Sequence, residues 1–222
     1  QCPRVQSMAA DTEVCTLPSS QRRGTSPVSE VLVGPHPMRS CNHHEVPTTR
    51  LLTTSSASVD LLTSIRCLLS ASFAGQFSDH DWEHALGGWH AVVMEADLPL
   101  AHAAVVPRAL LVDGQPYDTG YVEAVATAPC RQREGFGSLA MSRLMQFLRR
   151  EFELGALSTS RHSFYERLGW ERWRGPTFVR HGRQLVRTQG EDDGVMVLRF
   201  GRSTEVDLDR SISCEARIGD DW

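Results

Sequence analysis

From Arg50 onward the chain alternates apolar and polar positions in a way that its first 45 residues do not. Val59, Leu61, Leu62, Ile65, Leu68, Leu69 and Phe73 recur at three- and four-residue intervals, which predicts a helix with one apolar stripe. Asp79 to Leu86 predicts a second, shorter helix, ended by Gly87-Gly88. Leu51 and Leu52 lie in a short Thr-rich strand candidate, and Trp89 to Glu95 and Ala101 to Val112 read as strands. Turn residues stand at Asp97 and Pro99 and again at Asp113-Gly114. Gly120 to Thr127 is the next strand. After Gly137, Ala140, Leu144, Leu148 and Phe152 recur every four residues, so this helix lays a single apolar stripe on a sheet. A short strand at 156–160, a helix at 163–168, a strand from Trp170 and a late strand at 195–200 complete the pattern. The order is α+β with a predominantly antiparallel start and no internal repeat.

Residues 1–45 are rich in Ser, Thr, Pro and Gln and carry no sustained period. They are expected to be a disordered or non-native extension. The chain opens at Gln1 rather than at a methionine, and Met38 is the expected true start. Residues 46–222 are expected to form one domain. Hydrophobic residues make up 41% and charged residues 23% of the chain, as in globular proteins. A net charge of −4 gives no affinity of the whole molecule for nucleic acid. No apolar run reaches membrane-spanning length. The six cysteines are scattered without a C-x-x-C pair, so a reducing cytoplasm is the expected setting and no zinc site is expected.

The chemistry concentrates between Gly120 and Phe147. A strand hands a short Pro-Cys-Arg loop to Gln132-Arg133-Glu134-Gly135-Phe136-Gly137, which opens the long helix. The first amides of a helix have no internal partner, and the dipole there favours an anion. Glycine lets a pyrophosphate come close to the backbone. Glu123 sits in the same strand, a few residues before this cradle. The arrangement suits an enzyme that holds a nucleotide cofactor and moves a proton beside it, although a ligand-free strand-to-helix turn has the same look. A P-loop is excluded because it needs a lysine, and all 23 basic residues are arginines. Schiff-base chemistry is excluded for the same reason. His80 and His84 share a helix face but have no third ligand at metal spacing, so they read as a polar face.

The motif Gln132-x-x-Gly135-x-Gly137 resembles that of the GNAT N-acetyltransferase superfamily. That resemblance implies a GNAT fold: a mixed, mostly antiparallel central sheet with a splayed strand pair, flanked by helices. It also implies acetyl-CoA as cosubstrate, with no metal. Its pyrophosphate would lie on the backbone of Gln132, Arg133, Glu134, Gly135, Phe136 and Gly137, and its pantetheine arm along Val125, Ala126 and Thr127. Residues 131–187 hold 12 arginines against 5 acidic residues, a charge that agrees with a phosphate-rich ligand.

Longer stretches narrow the resemblance to the aminoglycoside 2′-N-acetyltransferases. These are Phe77 to His84, Leu86-Gly87-Gly88-Trp89-His90, Gly120-Tyr121-Val122-Glu123, Leu154 to Ser158, Leu168-Gly169-Trp170 and Gly219-Asp220-Asp221-Trp222, spanning about Thr48 to Trp222. The resemblance implies acetylation of a 2′-amino group. Glu123 is then a base acting through a water, and Tyr165 the acid that protonates the CoA thiolate. Asp81, Asp193, Asp220 and the Trp222 carboxylate would line the drug pocket together with Glu123, with Ser158 and Asp192 nearby. Residues 191–222 carry 9 acidic residues against 4 arginines, which suits a polycationic acceptor. Gln76 replaces the Asp, and Trp89 the Met, that this family leads one to expect, so a narrowed or shifted antibiotic range is anticipated. A homodimer is compatible with the superfamily. Two other readings stay open: a GNAT enzyme acting on another cationic amine, such as a cell-wall amino sugar or a polyamine, and a non-catalytic acetyl-CoA-binding module.

Overall fold

The computed structural model describes residues 46–222. The expected extension at 1–45, Met38 and the pair His43-His44 therefore lie outside the described residues. The chain runs β1 (Thr48–Thr53), α1 (Val59–Ser72), α2 (Asp79–Ala85), β2 (Trp89–Glu95), β3 (Leu98–Val112), β4 (Gln115–Thr127), α3 (Phe136–Glu151), β5 (Leu154–Ser158) and α4 (His162–Glu166). It continues through β6 (Glu171–Arg172), β7 (Thr177–His181), β8 (Gln184–Arg187), β9 (Val195–Arg199) and β10 (Ile212–Glu215).

These strands form one mixed sheet in the order β6-β9-β5-β4-β3-β10-β7-β8, with β2 and then β1 beside the first half of β3. Among the described strands only β4–β5 and β7–β10 pair in parallel. The period-two alternation of β2 shows why helices cover both faces. Ala91 and Val93 pack in the cluster that holds Ala140, Leu144 and Leu148 of α3. Val92 and Met94 pack with Ile65 and Leu69 of α1. The four-residue stripe of α3 is thus the buried one, and Ala140, Leu144 and Leu148 are all fully enclosed.

The starts of α1 and α2 follow their capping chemistry. Ser58 caps α1 by accepting from the Leu61 amide. Ser78 and Asp81 form a reciprocal capping box on α2. Three strands had no signature in the apolar pattern. β8 is exposed along its whole length, and β7 and β10 are five and four residues long. β10 fits between β7 and the far half of β3, where Ile212 opposes Val112 and Ser213 opposes Leu111.

Two features of β4 position the site. First, β4 pairs with β5 only from Thr119 to Tyr121, so its edge from Val122 to Thr127 is free of β5 and a wedge opens. Second, the β3–β4 ladder shifts register: Ala104 faces Glu123, but His102 faces Ala126. One extra residue is inserted in β4, a bulge centred on Ala124, whose φ is +50°. A left-handed alanine costs about 1–2 kcal/mol. Its effect is a change of phase. Val122 and Val125 both pack on the α3 side, whereas Ala124 and Ala126 join the α1 side.

Candidate active site

The loop from β4 to α3 turns on two left-handed residues, Arg133 (φ +67°) and Gly135 (φ +92°). Gly135 is the N-cap of the 16-residue α3 and offers no side-chain cap. The leading amides of the helix are therefore unpaired by side chains, and left-handed kinks at alternate residues turn successive amides inward. Gln132, Arg133 and Glu134 are exposed, and Phe136 is buried beneath them. A Cβ on Gly137 would stand 2.9 Å from Thr127 Oγ1 and 3.6 Å from Phe164 Cζ. Gly137 is thus where the end of β4, the start of α3 and α4 converge. These features fit an anion held by backbone. Arg131, next to this loop, is committed elsewhere: it bonds Glu95 and Glu134. Thr127 is anchored from the other face, its carbonyl accepting from Ser72 Oγ at 3.1 Å.

Glu123 lies just before the bulge, with its side chain 16% exposed. Its Oε1 accepts from Arg217 Nη1 at 2.7 Å. Burial pushes the carboxyl above its ordinary value, and the Arg217 charge and hydrogen bond, with His84 and Arg108 behind them, oppose that rise. Tyr165 sits on α4, buried edge-on between Phe164 and Trp170. Burial raises its phenol well above the usual value, with Arg161 opposing, so the group stays protonated at neutral pH. Among the described residues nothing hydrogen-bonds its hydroxyl.

Residues 217–222 fold back over the sheet. Arg108 donates to the Asp221 carbonyl at 2.8 Å, the Arg217 amide donates to Asp221 Oδ1 at 2.8 Å, and His84 Nε2 lies 2.8 Å from the Ile218 carbonyl. Trp222 is buried, and its indole N–H donates to Thr188 Oγ1 at 3.2 Å. Beside it opens a cavity of about 280 Å³, lined by Thr188, Glu191, Gly219, Asp220, Asp221 and Trp222. Burial, then the neighbouring Asp220 and Asp221 charges, raise the Glu191 carboxyl above its usual value. Arg217 joins this cavity to Glu123, since its Nε donates to the Asp220 carbonyl at 2.6 Å.

Asp220, Trp222 and, through Arg217, Glu123 thus meet in one place. The structure places the other sequence-selected residues as follows. Asp192 accepts from both terminal nitrogens of Arg187 and from the Thr177 amide and hydroxyl, and these bonds lower its carboxyl to about 2. Asp81 spends Oδ2 on the amide and hydroxyl of Ser78. Asp193 is exposed, and its carbonyl accepts from His162 Nε2. Ser158 lies against Gly194, where an added Cβ would meet its Oγ at 2.8 Å. Of the departures, Gln76 is exposed in the turn between α1 and α2, and Trp89 packs on Phe147 and Phe152. Sequence reasoning missed Arg217, Glu191 and Thr188. The local charge count included the first two without singling them out.

A family model described as an acetyltransferase (GNAT) domain matches residues 56–173. An aminoglycoside 2′-N-acetyltransferase of Mycolicibacterium fortuitum is 40% identical over 179 residues, covering 79% of this chain and 92% of that protein. Among solved structures, a GNAT-family N-acetyltransferase of Escherichia coli in complex with CoA gives a TM-score of 0.56 at 14% identity, covering 76% of this chain and 89% of the other. A GNAT-family acetyltransferase from Brucella melitensis in complex with acetyl-CoA gives 0.50 at 20% identity, covering 73% and 92%. These two structural matches speak for the fold, and the M. fortuitum relative for the family. The chain belongs to the aminoglycoside 2′-N-acetyltransferase family of the GNAT superfamily and is an acetyltransferase that acts on an amine.

Proposed function

We propose that the protein transfers the acetyl group of acetyl-CoA to the 2′-amino group of an aminoglycoside, with Glu123 as a water-mediated base and Tyr165 as the acid. The observation that carries this reading is the acidic cavity, which a single guanidinium connects to a buried carboxylate. Three carboxylates line one small cavity, and burial together with the neighbouring Asp220 and Asp221 charges disfavours the ionised form of Glu191. A polycationic acceptor relieves that cost, because a buried carboxylate is stable when paired.

On the donor side, the side-chain-uncapped start of α3 and the kinks at Arg133 and Gly135 suit the CoA pyrophosphate, and the free β4 edge from Val122 to Thr127 suits its pantetheine arm. Acetyl-CoA supplies an acetyl group already activated as a thioester. Glu123 takes a proton from the acceptor ammonium through a water, because only the neutral amine is nucleophilic. The Val125 amide is the donor assigned to the acetyl carbonyl oxygen as it gains charge. The Tyr165 hydroxyl gives its proton to the departing sulfur. The Arg217 charge and hydrogen bond favour the ionised form of Glu123 against the effect of burial.

The test is a substrate panel followed by free-thiol release. Gentamicin and tobramycin, which carry a 2′-amine, are acetylated; kanamycin A and amikacin, which carry a 2′-hydroxyl, are not. NMR of the product then places the acetyl group on the 2′ nitrogen. Turnover of the 2′-hydroxyl compounds at a comparable rate overturns the regiochemistry.

A further inference from the structure

Two fully buried histidines lie between the sheet and α1. His90 of β2 and His102 of β3 are both 0% exposed, and the chain of bonds through them has only one consistent direction. His102 Nδ1 stands 2.8 Å from the Ala124 carbonyl, which can only accept, so Nδ1 carries the hydrogen. Neutral His102 then accepts at Nε2, 2.9 Å from His90 Nδ1, which must donate. His90 Nε2 in turn accepts from the Thr54 hydroxyl at 2.8 Å, and that hydroxyl accepts from the Gly87 amide at 3.0 Å. Every polar atom of both rings is satisfied, and both imidazoles are held neutral by burial, His90 at about 4 and His102 at about 3.

The chain ends on a peptide carbonyl, which takes no proton, so it is not a proton wire. Its end point is informative. Among the described residues five non-glycine residues have left-handed φ, and Ala124 is the one of them inside a strand rather than in a turn or loop. It stands between Glu123 and Val125. The carbonyl that His102 grips belongs to the peptide whose nitrogen is the Val125 amide. Losing the bulge would return the φ of Ala124 to strand values and shift the β4 register by one residue, which would re-aim the peptide that carries this carbonyl and the Val125 amide and put Glu123 and Val125 back on one face.

We propose that His90 and His102 form a neutral hydrogen-bonded clamp on the Ala124 carbonyl that keeps the β4 bulge in place, and so act as positioning residues for the Glu123 carboxylate and the Val125 amide. This rests on the roles proposed above for those two groups.

The test compares His102→Phe, which keeps the ring and loses both bonds, with His102→Asn, whose side-chain amide restores a donor near the Nδ1 position. With a 2′-amino aminoglycoside and acetyl-CoA, His102→Phe lowers kcat on the order of tenfold to a hundredfold, while both KM values stay within about threefold. His102→Asn recovers most of kcat. His90→Phe, which leaves the bond to Ala124 but frees the tautomer of His102, has a smaller effect. Nitrogen-15 NMR of the unaltered protein shows both rings as the Nδ1–H tautomer from pH 6 to 9. An Nε2–H tautomer at His102 overturns the clamp, and that readout stands even if His102→Phe does not fold. A folded His102→Phe with unaltered kcat overturns the clamp alone, as does an Asn variant no better than Phe. An unaltered protein that acetylates none of the aminoglycosides overturns the proposed function and this inference together.

Discussion

Replacing Glu123 with Gln lowers kcat at neutral pH on the order of a hundredfold to a thousandfold, while affinity for acetyl-CoA stays within a few-fold. The side chain keeps its shape, and its amide oxygen still accepts from Arg217, so the change removes the basic site rather than the contact. The pH dependence follows from the shift. Burial raises the carboxyl above its ordinary value, so the ionised base is lost as pH falls through that raised value, and the rate falls with it. Glu123→Gln abolishes this acid limb. Arg217→Met moves it toward alkaline pH, because the charge that opposes the burial effect is gone. Linkage gives the opposite sign for stability. A carboxyl raised in the folded state contributes fully below its unfolded value and loses that contribution as pH rises through the folded one. Glu123→Gln is therefore neutral or slightly stabilising at pH 7, which separates chemistry from folding. Initial rates from pH 5 to 9 and a thermal melt measure both. A variant that loses cofactor binding but turns over normally at saturation would make Glu123 a structural residue.

Trp222→Ala raises KM for the aminoglycoside on the order of tenfold to a hundredfold and leaves KM for acetyl-CoA nearly unchanged. The indole is buried with Trp173, Val179, Leu208 and Ile212. Truncating an indole in such a place costs about 3–5 kcal/mol where the whole fold depends on it. Here the cost is met locally. Residues 217–222 are otherwise held by polar contacts, among them Arg108 to the Asp221 carbonyl, His84 at the Ile218 carbonyl and the Arg217–Glu123 pair, each worth about 1 kcal/mol, or about twice that where an ion takes part. Without the anchor the segment detaches, and Asp220, Asp221 and Arg217 leave the acceptor cavity together. The donor wedge shares no residue with this segment. Steady-state kinetics with each substrate varied in turn measure the split, and equal loss of both KM values would show that the tail supports the whole fold.

The donor half was legible in the sequence because its signals are local. The four-residue stripe of α3, the alternation of β2 and the glycines at 135 and 137 each lie within a few residues of what they determine. Asp81 was selected only for the drug pocket, and its part in the capping box with Ser78, which it plays whether or not it meets substrate, came from the structure. The acceptor half was less legible because charge counts do not record pairing. Of the acidic residues from 191 onward, Asp192, Asp207, Asp209 and Glu215 form ion pairs with Arg187, Arg210, Arg174 and Arg108 or Arg180. Glu191, Asp220 and Asp221 are left to line the cavity. The partner of Glu123 comes from a residue 94 positions away. The bulge at Ala124 has no marker in the chain, since alanine is an unusual choice for a left-handed residue and the histidines that grip it lie on two other strands.

The longest strand of the sheet, β3, shares one edge between two tenants, β2 along its first half and β10 at its end. The hairpin tip that follows it is tied to the approach to β10, the Asp113 amide donating to the Ser211 carbonyl at 2.9 Å. β10 then leads directly into Arg217 and the segment over the acceptor. A change of length or stiffness at that distant tip is thus a steering handle: it would re-aim which drug scaffold the proposed acceptor cavity takes while the proposed thioester grip, on β4 beside the opposite end of β3, is left as it was.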